Sequence, residues 1–454
     1  MRALRGSEQE KAFLDAVCAE VRWRAAHPVI RAELADHAED QREALLAAGS
    51  NPHEAEKEAL CRLGEPQALG LLFDASYRPA ATFAVLTPIL LYALLGVVFR
   101  LFVYRMSGGA PWRDFLIALA LGLLGVMLLF RLNLYRAVRL GWVLYLGFWA
   151  VAVVLPAITP LFSGQMPEQS GLYPALQYLW MLFPPIYALL LYRLRGLGYM
   201  GILVAAALIG VPVLASLRLF WSGGYPEGLA SFACLSLLIR AVLSGVFSCK
   251  RWLAASLLGV AALLLLAGLA ITEPYRLTRI LAVLNPMRDL QGDGWLVLRI
   301  RELISHAEFL GAGDTLPAAA QEVAARFGES AMSQNLLLAM LAYRYGIVVS
   351  VLPVIGLAAW LVYGILRVRR LGSLLGRLLA HAVLLVFAAE IVLSVAVFLG
   401  YPLWYSAVFP FLTDNTMAFW MNLLLAGMLA SVLRTDGLHR DTEYRKRTLR
   451  LRFE

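Results

Sequence analysis

Charge is scarce in this chain of 454 residues: Asp, Glu, Lys and Arg make up 16% against 60% hydrophobic residues, and mean hydropathy is +0.70. So apolar a composition excludes a soluble protein and leaves a polytopic helical membrane protein. Cysteine is sparse too. The four residues Cys18, Cys61, Cys234 and Cys249 show no metal-ligand spacing. Both pairs fall in segments expected to be cytoplasmic or within the membrane, which argues against disulfides. No cofactor and no metal site is indicated. The chain opens with charged helix rather than an apolar run, so no cleavable signal peptide is expected, and insertion relies on the first spanning helix.

The charge that is present is unevenly placed. Residues 1–78 hold ten Lys/Arg and fourteen Asp/Glu, net −4, which leaves +13 on the remainder of a chain whose total is +9. A basic balance on the membrane part is accounted for by positive-inside loops and not by nucleic acid. The acidic first segment reads as four short helices. Ser7 with Glu10 fits a capping box, and Phe13, Leu14, Val17 and Val21 recur on one face. Pro28 opens a second helix, with Ile30, Leu34 and Leu45 on its apolar side and Gly49 as its stop. Ser50-Asn51-Pro52 starts a third helix that Gly64 ends, and Pro66 starts a fourth. His37, Glu39, Asp40 and His53 match no ligand pattern and read as solvated helix faces.

From Pro79 onward, ten apolar runs of bilayer length centre near Leu90, Leu121, Ala150, Pro184, Ala207, Leu237, Leu263, Val354, Phe387 and Leu425. The expected fold is therefore all-α. About ten transmembrane helices occupy residues 79–434, preceded by a small cytoplasmic helical domain over 1–78 and followed by a basic cytoplasmic tail over 435–454. Arg131, Arg136, Arg139, Arg193, Arg195, Lys250, Arg251, Arg367, Arg369 and Arg370 all fall in alternate loops on one side. Both termini are thus expected in the cytoplasm, and the long polar interval 273–335 outside. Pro184-Pro185 should kink or break the fourth span. Gly122, Gly125, Gly259 and Gly268 should let helices approach closely.

Charges within the apolar runs stand out, because one at the bilayer centre costs about 2.5–3.5 kcal/mol. Arg240, Arg344 and Glu390 fall inside spans, with His381 and Arg100 nearer their ends. Arg344 and Glu390 lie on consecutive spans with opposite sign, so a pair or shared polar cavity is expected. The outer interval alternates Arg276, Arg279, Arg288, Arg299 and Arg301 with Leu277, Ile280, Leu281, Leu284, Leu296, Leu298 and Ile300. A segment of this kind can lie at the interface, its basic face suited to lipid phosphates or a diphosphate.

Two stretches resemble known families. The matches at Glu33-Leu34, His37, Glu39-Asp40, Ala55-Glu56, Ala59-Leu60, Leu63-Gly64 and Pro66 are similar to the helical prefix domain ahead of some bacterial permease-like and regulatory membrane proteins. That likeness implies a module with a cytoplasmic partner. In the outer interval, Arg276, Arg279, Ile280, Asn285, Pro286, Asp289, Gly292, Gly294, Trp295, Gly311 and Gly313 resemble the FtsW/RodA/SpoVE (SEDS) family. Tyr192–Gly201 resembles the basic loop after the fourth span in members carrying the prefix. Pro410, Phe411, Leu412, Asn422, Gly427, Ser431 and Arg434 fit the family's last motif.

The resemblance implies a bacterial plasma-membrane protein of cell division, cell shape or sporulation, with ten spans and a large outer loop between the seventh and eighth. It implies peptidoglycan glycosyltransferase activity on a lipid-linked precursor beside a penicillin-binding-protein-like partner. The family's catalytic aspartate falls on Asn335, preceded by Gln334, and an amide cannot accept the attacking hydroxyl's proton. Asp314, Glu308 and Glu329 are the carboxylates that could stand in. Arg276, Arg279, Asp314, Arg344 and Glu390 are the candidate substrate or lipid ligands. Three functions stay open: a catalytically silent member that binds precursor or a partner, an active glycosyltransferase with a displaced base, and a permease or signalling protein.

Overall fold

The computed structural model describes residues 7–77, 83–107, 112–158, 176–220, 225–272, 281–288, 290, 293–311, 336–401, 408–413 and 415–436. The chain divides into two compact units, the first built on residues up to Thr82 and the second on Phe83–Leu433. The first holds α1 (Glu8–Glu20), α2 (His27–Ala47), α3 (Pro52–Leu63) and α4 (Pro66–Ser76). Ser7 caps α1, its Oγ accepting from the Glu10 N–H at 3.2 Å. The cap's own hydroxyl also donates to Glu56 of α3. The apolar face expected on α1 is present: Leu14, Val17 and Val21 pack with Ala26, Ile30 and Leu34. Arg22 N–H donates to Asp74 at 2.9 Å and Tyr77 Oη to Glu33 at 3.0 Å, fastening α4 to the rest of this unit. His37, Glu39, Asp40 and His53 are exposed.

In the second unit, ten described helices or helical runs stand at the ten expected centres. They are α5 (Phe83–Ser107), α6 (Trp112–Arg131), α7 (Gly141–Trp149), α8 (Phe183–Arg193), α9 (Gly198–Phe220), α10 (Tyr225–Leu243), α11 (Arg251–Thr272), then α14 (Ile347–Val368), α15 (Leu374–Phe398) and α16 (Thr416–Thr435). Among the described residues, α12 (Asp293–Ser305) and α13 (Leu337–Tyr345) also come between α11 and α14. The chain is an all-helical polytopic membrane protein among its described residues. Among the described residues, five helical runs are long and apolar enough to cross a bilayer outright, and four shorter apolar stretches lie in α5, α6, α9 and α11. One expectation changes at the fourth span. Pro184 and Pro185 occupy the first turn of α8, where a missing N–H leaves no helical bond unmade. They open the helix instead of kinking it, and a 3-10 run, Gln177–Leu182, leads in.

At the centre of this unit is α15, buried along most of its length and packed against α8, α10 and α14. Outward stripes such as Val349, Leu352, Ile355, Val362 and Leu366 on α14 are exposed apolar surface of the kind lipid covers. In lipid, helix association rests on close packing and buried hydrogen bonds. Gly122 and Gly125 of α6 supply the first: a Cβ there would stand 2.6 Å from Leu423 and 2.9 Å from Leu424 of α16. Gly259 does not behave as expected, since nothing lies within 4 Å of its missing Cβ. The surroundings of Gly268 lie outside the described residues. The second kind of tie appears at Pro212 within α9, which has no N–H for the Leu208 carbonyl one turn back. Tyr145 of α7 donates its hydroxyl to that oxygen at 3.2 Å.

Candidate functional site

Within the 273–335 interval, one face of α12 packs into the rest of the second unit. Leu296, Val297, Ile300 and Leu303 are buried there, following the helical period. The two arginines of α12 are engaged within the protein. Arg299 pairs with Glu302 at 2.6 Å, while Arg301 donates to the Val283 carbonyl at 3.3 Å and lies 5.2 Å over the Tyr401 ring. A basic face open to lipid phosphate is therefore not what these two residues form; i,i+3 spacing supplied an acid to the first and the end of α15 an aromatic to the second.

The segment after α12 is stitched by its backbone to the start of α14. Gly311 N–H donates to the Tyr345 carbonyl at 3.2 Å, and Ile347 N–H to that of Glu308 at 2.9 Å. Gly346 sits in the crossing with φ +101, and a Cβ there would stand 2.8 Å from the Leu310 Cα and from the Phe309 oxygen. Only glycine meets both demands. This junction also corrects the placement of Arg344. It lies in the last turn of α13, ahead of Gly346, and not in the span that begins at Ile347.

Glu390 is fully buried in α15. Its hydrogen-bond partner is Asn422 of α16, whose Nδ2 donates to Oε1 at 3.4 Å. No ion pair joins it to Arg344, so the expected pair is replaced by a carboxyl–amide contact between α15 and α16. Around it, three buried oxygens have no hydrogen-bond partner among the described residues: Glu390 Oε2, Asn422 Oδ1 and the Oγ of Ser394, one turn along α15. One turn back, Phe387 stacks on Phe411 at 5.6 Å and meets Trp360 edge-on at 5.2 Å.

Phe411 belongs to a non-helical stretch, Val408 to Thr413, that is buried throughout. Its φ is +64, uncommon for a bulky side chain, and Gly96 of α5 makes room for its carbonyl. Irregular backbone at membrane depth survives where protein encloses it, and strain of this kind is held by its surroundings. Thr413 Oγ1 accepts from Asn415 N–H and Asn415 Oδ1 from Ala418 N–H, each at 3.0 Å, which starts α16. The result is a buried polar cluster beside a strained segment, with unfilled hydrogen-bonding capacity. Sequence reading found Glu390 but missed Asn422 and Ser394 as its companions. The i,i+4 spacing of Glu390 and Ser394 on an apolar helix was the available signal.

Arg276, Arg279, Asp314, Glu329 and Asn335 lie outside the described residues. Leu336, adjacent to Asn335, is the N-cap residue of α13.

No family model and no curated protein matches the chain. A solved structure described as "Structural coordination of polymerization and crosslinking by a peptidoglycan synthase complex" contains a chain that matches with a TM-score of 0.55 at 19% identity, over 78% of this chain and 98% of that one. This protein shares its fold.

Proposed function

We propose that this chain is a membrane protein of peptidoglycan synthesis, of the FtsW/RodA/SpoVE type, that binds a lipid-linked precursor without polymerising it. The observation that carries the reading is the fold shared with a chain of a peptidoglycan synthase complex across 98% of that chain's length. The motif residues Asn422, Gly427 and Ser431 support it through the contacts they make. Asn422 bonds Glu390, the missing Cβ of Gly427 would stand 3.1 Å from the Val126 Cα, and Ser431 donates to the Leu132 carbonyl at 2.6 Å.

The proposed topology has both termini in the cytoplasm, the 1–78 domain binding a cytoplasmic partner, and the 273–335 interval outside. Arg276, Arg279 and Arg344 are the proposed contacts for the precursor's diphosphate, with guanidinium forks matching phosphate oxygens. The proposed companion in the membrane is a penicillin-binding-protein-like crosslinking enzyme. Extension of a glycan requires a base to take the proton of the attacking hydroxyl, and Asn335 offers an amide in the family's aspartate position. Purified protein in proteoliposomes is expected to retain labelled lipid-linked precursor and to yield no glycan chains. Chain growth that is lost on Asn335→Ala would overturn the silent reading, and growth lost on Asp314→Ala would assign a displaced base.

A permease is the second reading, favoured by the unpartnered Glu390, Asn422 and Ser394 oxygens inside the bundle. Labelling of a cysteine at position 394 by a membrane-impermeant thiol reagent from the cytoplasmic side would select it.

A further inference from the structure

The four helices of the first unit differ in what they show to solvent. On α1, α2 and α3 the exposed positions include charged residues: Lys11 and Asp15, then Asp36, Asp40 and Glu43, then Lys57 and Glu58. Those of α4 include none. They are Gln67, Ala68, Leu71, Leu72, Ala75 and Ser76, which recur at the helical period and make up one side. Leu71 is 61% exposed and Leu72 65%. The opposite side is already occupied. Leu69, Phe73 and Tyr77 pack on the core of the unit, and Gly70 lies so close to α1 that a Cβ would stand 2.7 Å from the Val17 oxygen. α4 is therefore apolar on both sides, the pattern of a helix that is covered on both.

Two observations indicate what covers the outer side. The first is the tether. Tyr77 closes α4 and Phe83 opens α5, the first apolar helix of the membrane unit, with five residues between them. Fully extended, a connection of that length reaches about 20 Å, which confines the end of α4 to the neighbourhood of the bilayer surface. The second is charge. At this same end the Arg22 N–H donates to Asp74 at 2.9 Å, while the Arg22 side chain is 82% exposed. Arg24 is exposed two residues on, and Arg78 follows Tyr77 in the sequence. The acid Glu65 stands at the opposite end of α4. Basic residues at the tethered end of an uncharged apolar face suit a surface of anionic headgroups over acyl chains.

We propose that the side of α4 formed by Ala68, Leu71, Leu72 and Ala75 lies in the interfacial region of the bilayer and holds the first unit against an anionic lipid surface. The two leucines enter the boundary between headgroups and acyl chains, and Arg22, Arg24 and Arg78 face the lipid phosphates. This docking does not rest on the peptidoglycan reading.

The test uses the full-length protein in vesicles of phosphatidylglycerol and phosphatidylcholine that contain a phospholipid with a diazirine near the head of its acyl chain. After illumination and digestion, lipid adducts are mapped by mass spectrometry. Residues 66–76 should carry adducts, and residues 36–61 of α2 and α3 should carry none. Leu71→Glu combined with Leu72→Glu changes two exposed side chains, so adducts on the lipid-facing stripe of α14 should stay at the wild-type level while those on α4 are lost. Should the double variant lose its α14 adducts as well, the wild-type map decides by itself. Adducts on α4 that survive the double substitution, or adducts of equal yield on α2 and α3, overturn the proposal. So does an α4 without adducts, and a bifunctional reagent that then joins it to the 437–454 tail or to a second copy assigns the face to that segment or to a dimer.

Discussion

Single side chains decide whether buried polar atoms in this bundle are satisfied. Tyr145 supplies the donor that Pro212 denies to the Leu208 carbonyl. Tyr145→Phe removes that donor where no water can replace it, so thermal unfolding in detergent should show a loss of about 1–3 kcal/mol. The pairing of Glu390 with Asn422 makes a sharper prediction. A glutamine at 390 brings N–H donors to a position surrounded by acceptors without partners, so Glu390→Gln should be neutral or stabilising. Asn422→Leu strips the carboxyl of its one hydrogen bond and should cost about 1–3 kcal/mol in the same measurement. An outcome in which Glu390→Gln is as damaging as Asn422→Leu would mean the negative charge itself is what the site needs. That Glu390 was unusual could be read from the sequence, because a carboxyl in an apolar run has few explanations. That its companion is Asn422 rather than Arg344 could not, since 32 residues separate them and only helix rotation decides which side chains face each other.

At the level of elements, glycine positions carry most of what sequence patterns left open. Gly346 closes α13, opens α14 and lets the 308–311 strand of backbone cross. Gly346→Ala adds a Cβ at positive φ against backbone atoms and should lower stability by about 1–3 kcal/mol, with increased proteolysis near residue 310. Gly259→Ala should be neutral or stabilise by up to about 1 kcal/mol, because nothing opposes its Cβ and alanine is the better helix former. Apolar runs marked where helices stand, five of them long and apolar enough to cross a bilayer among the described residues, yet periodicity did not say that Pro184 and Pro185 start a helix. A proline is favourable in the first turn and disruptive in the interior, and the difference lies in where the helix begins, a boundary that hydropathy blurs. The break at Gly346 was equally hidden, since α13 and α14 are both apolar and read as one run.

Across the whole molecule, the two units answer to different physics. In the first, burial together with the charges of Glu56 and Glu39 raises the pKa of Glu10. The folded unit therefore holds the Glu10 proton more tightly than the unfolded chain, a contribution that favours folding below the ordinary glutamate value and is lost as pH rises above it. Glu10→Gln should slow hydrogen exchange in α1 at neutral pH, a gain of a few tenths of a kcal/mol that vanishes below about pH 4.5. In the second unit, the solvent is lipid. Composition and period by themselves determined the class and the separate acidic segment, because transfer of some 20 apolar residues into hydrocarbon is a sum over residues that needs no knowledge of neighbours. Which polar groups meet, and where a non-helical stretch is enclosed, were decided by tertiary structure alone. Those depend on helix rotation and crossing, set by close contacts such as Gly122 on Leu423 and Gly96 on Phe411 between residues hundreds of positions apart.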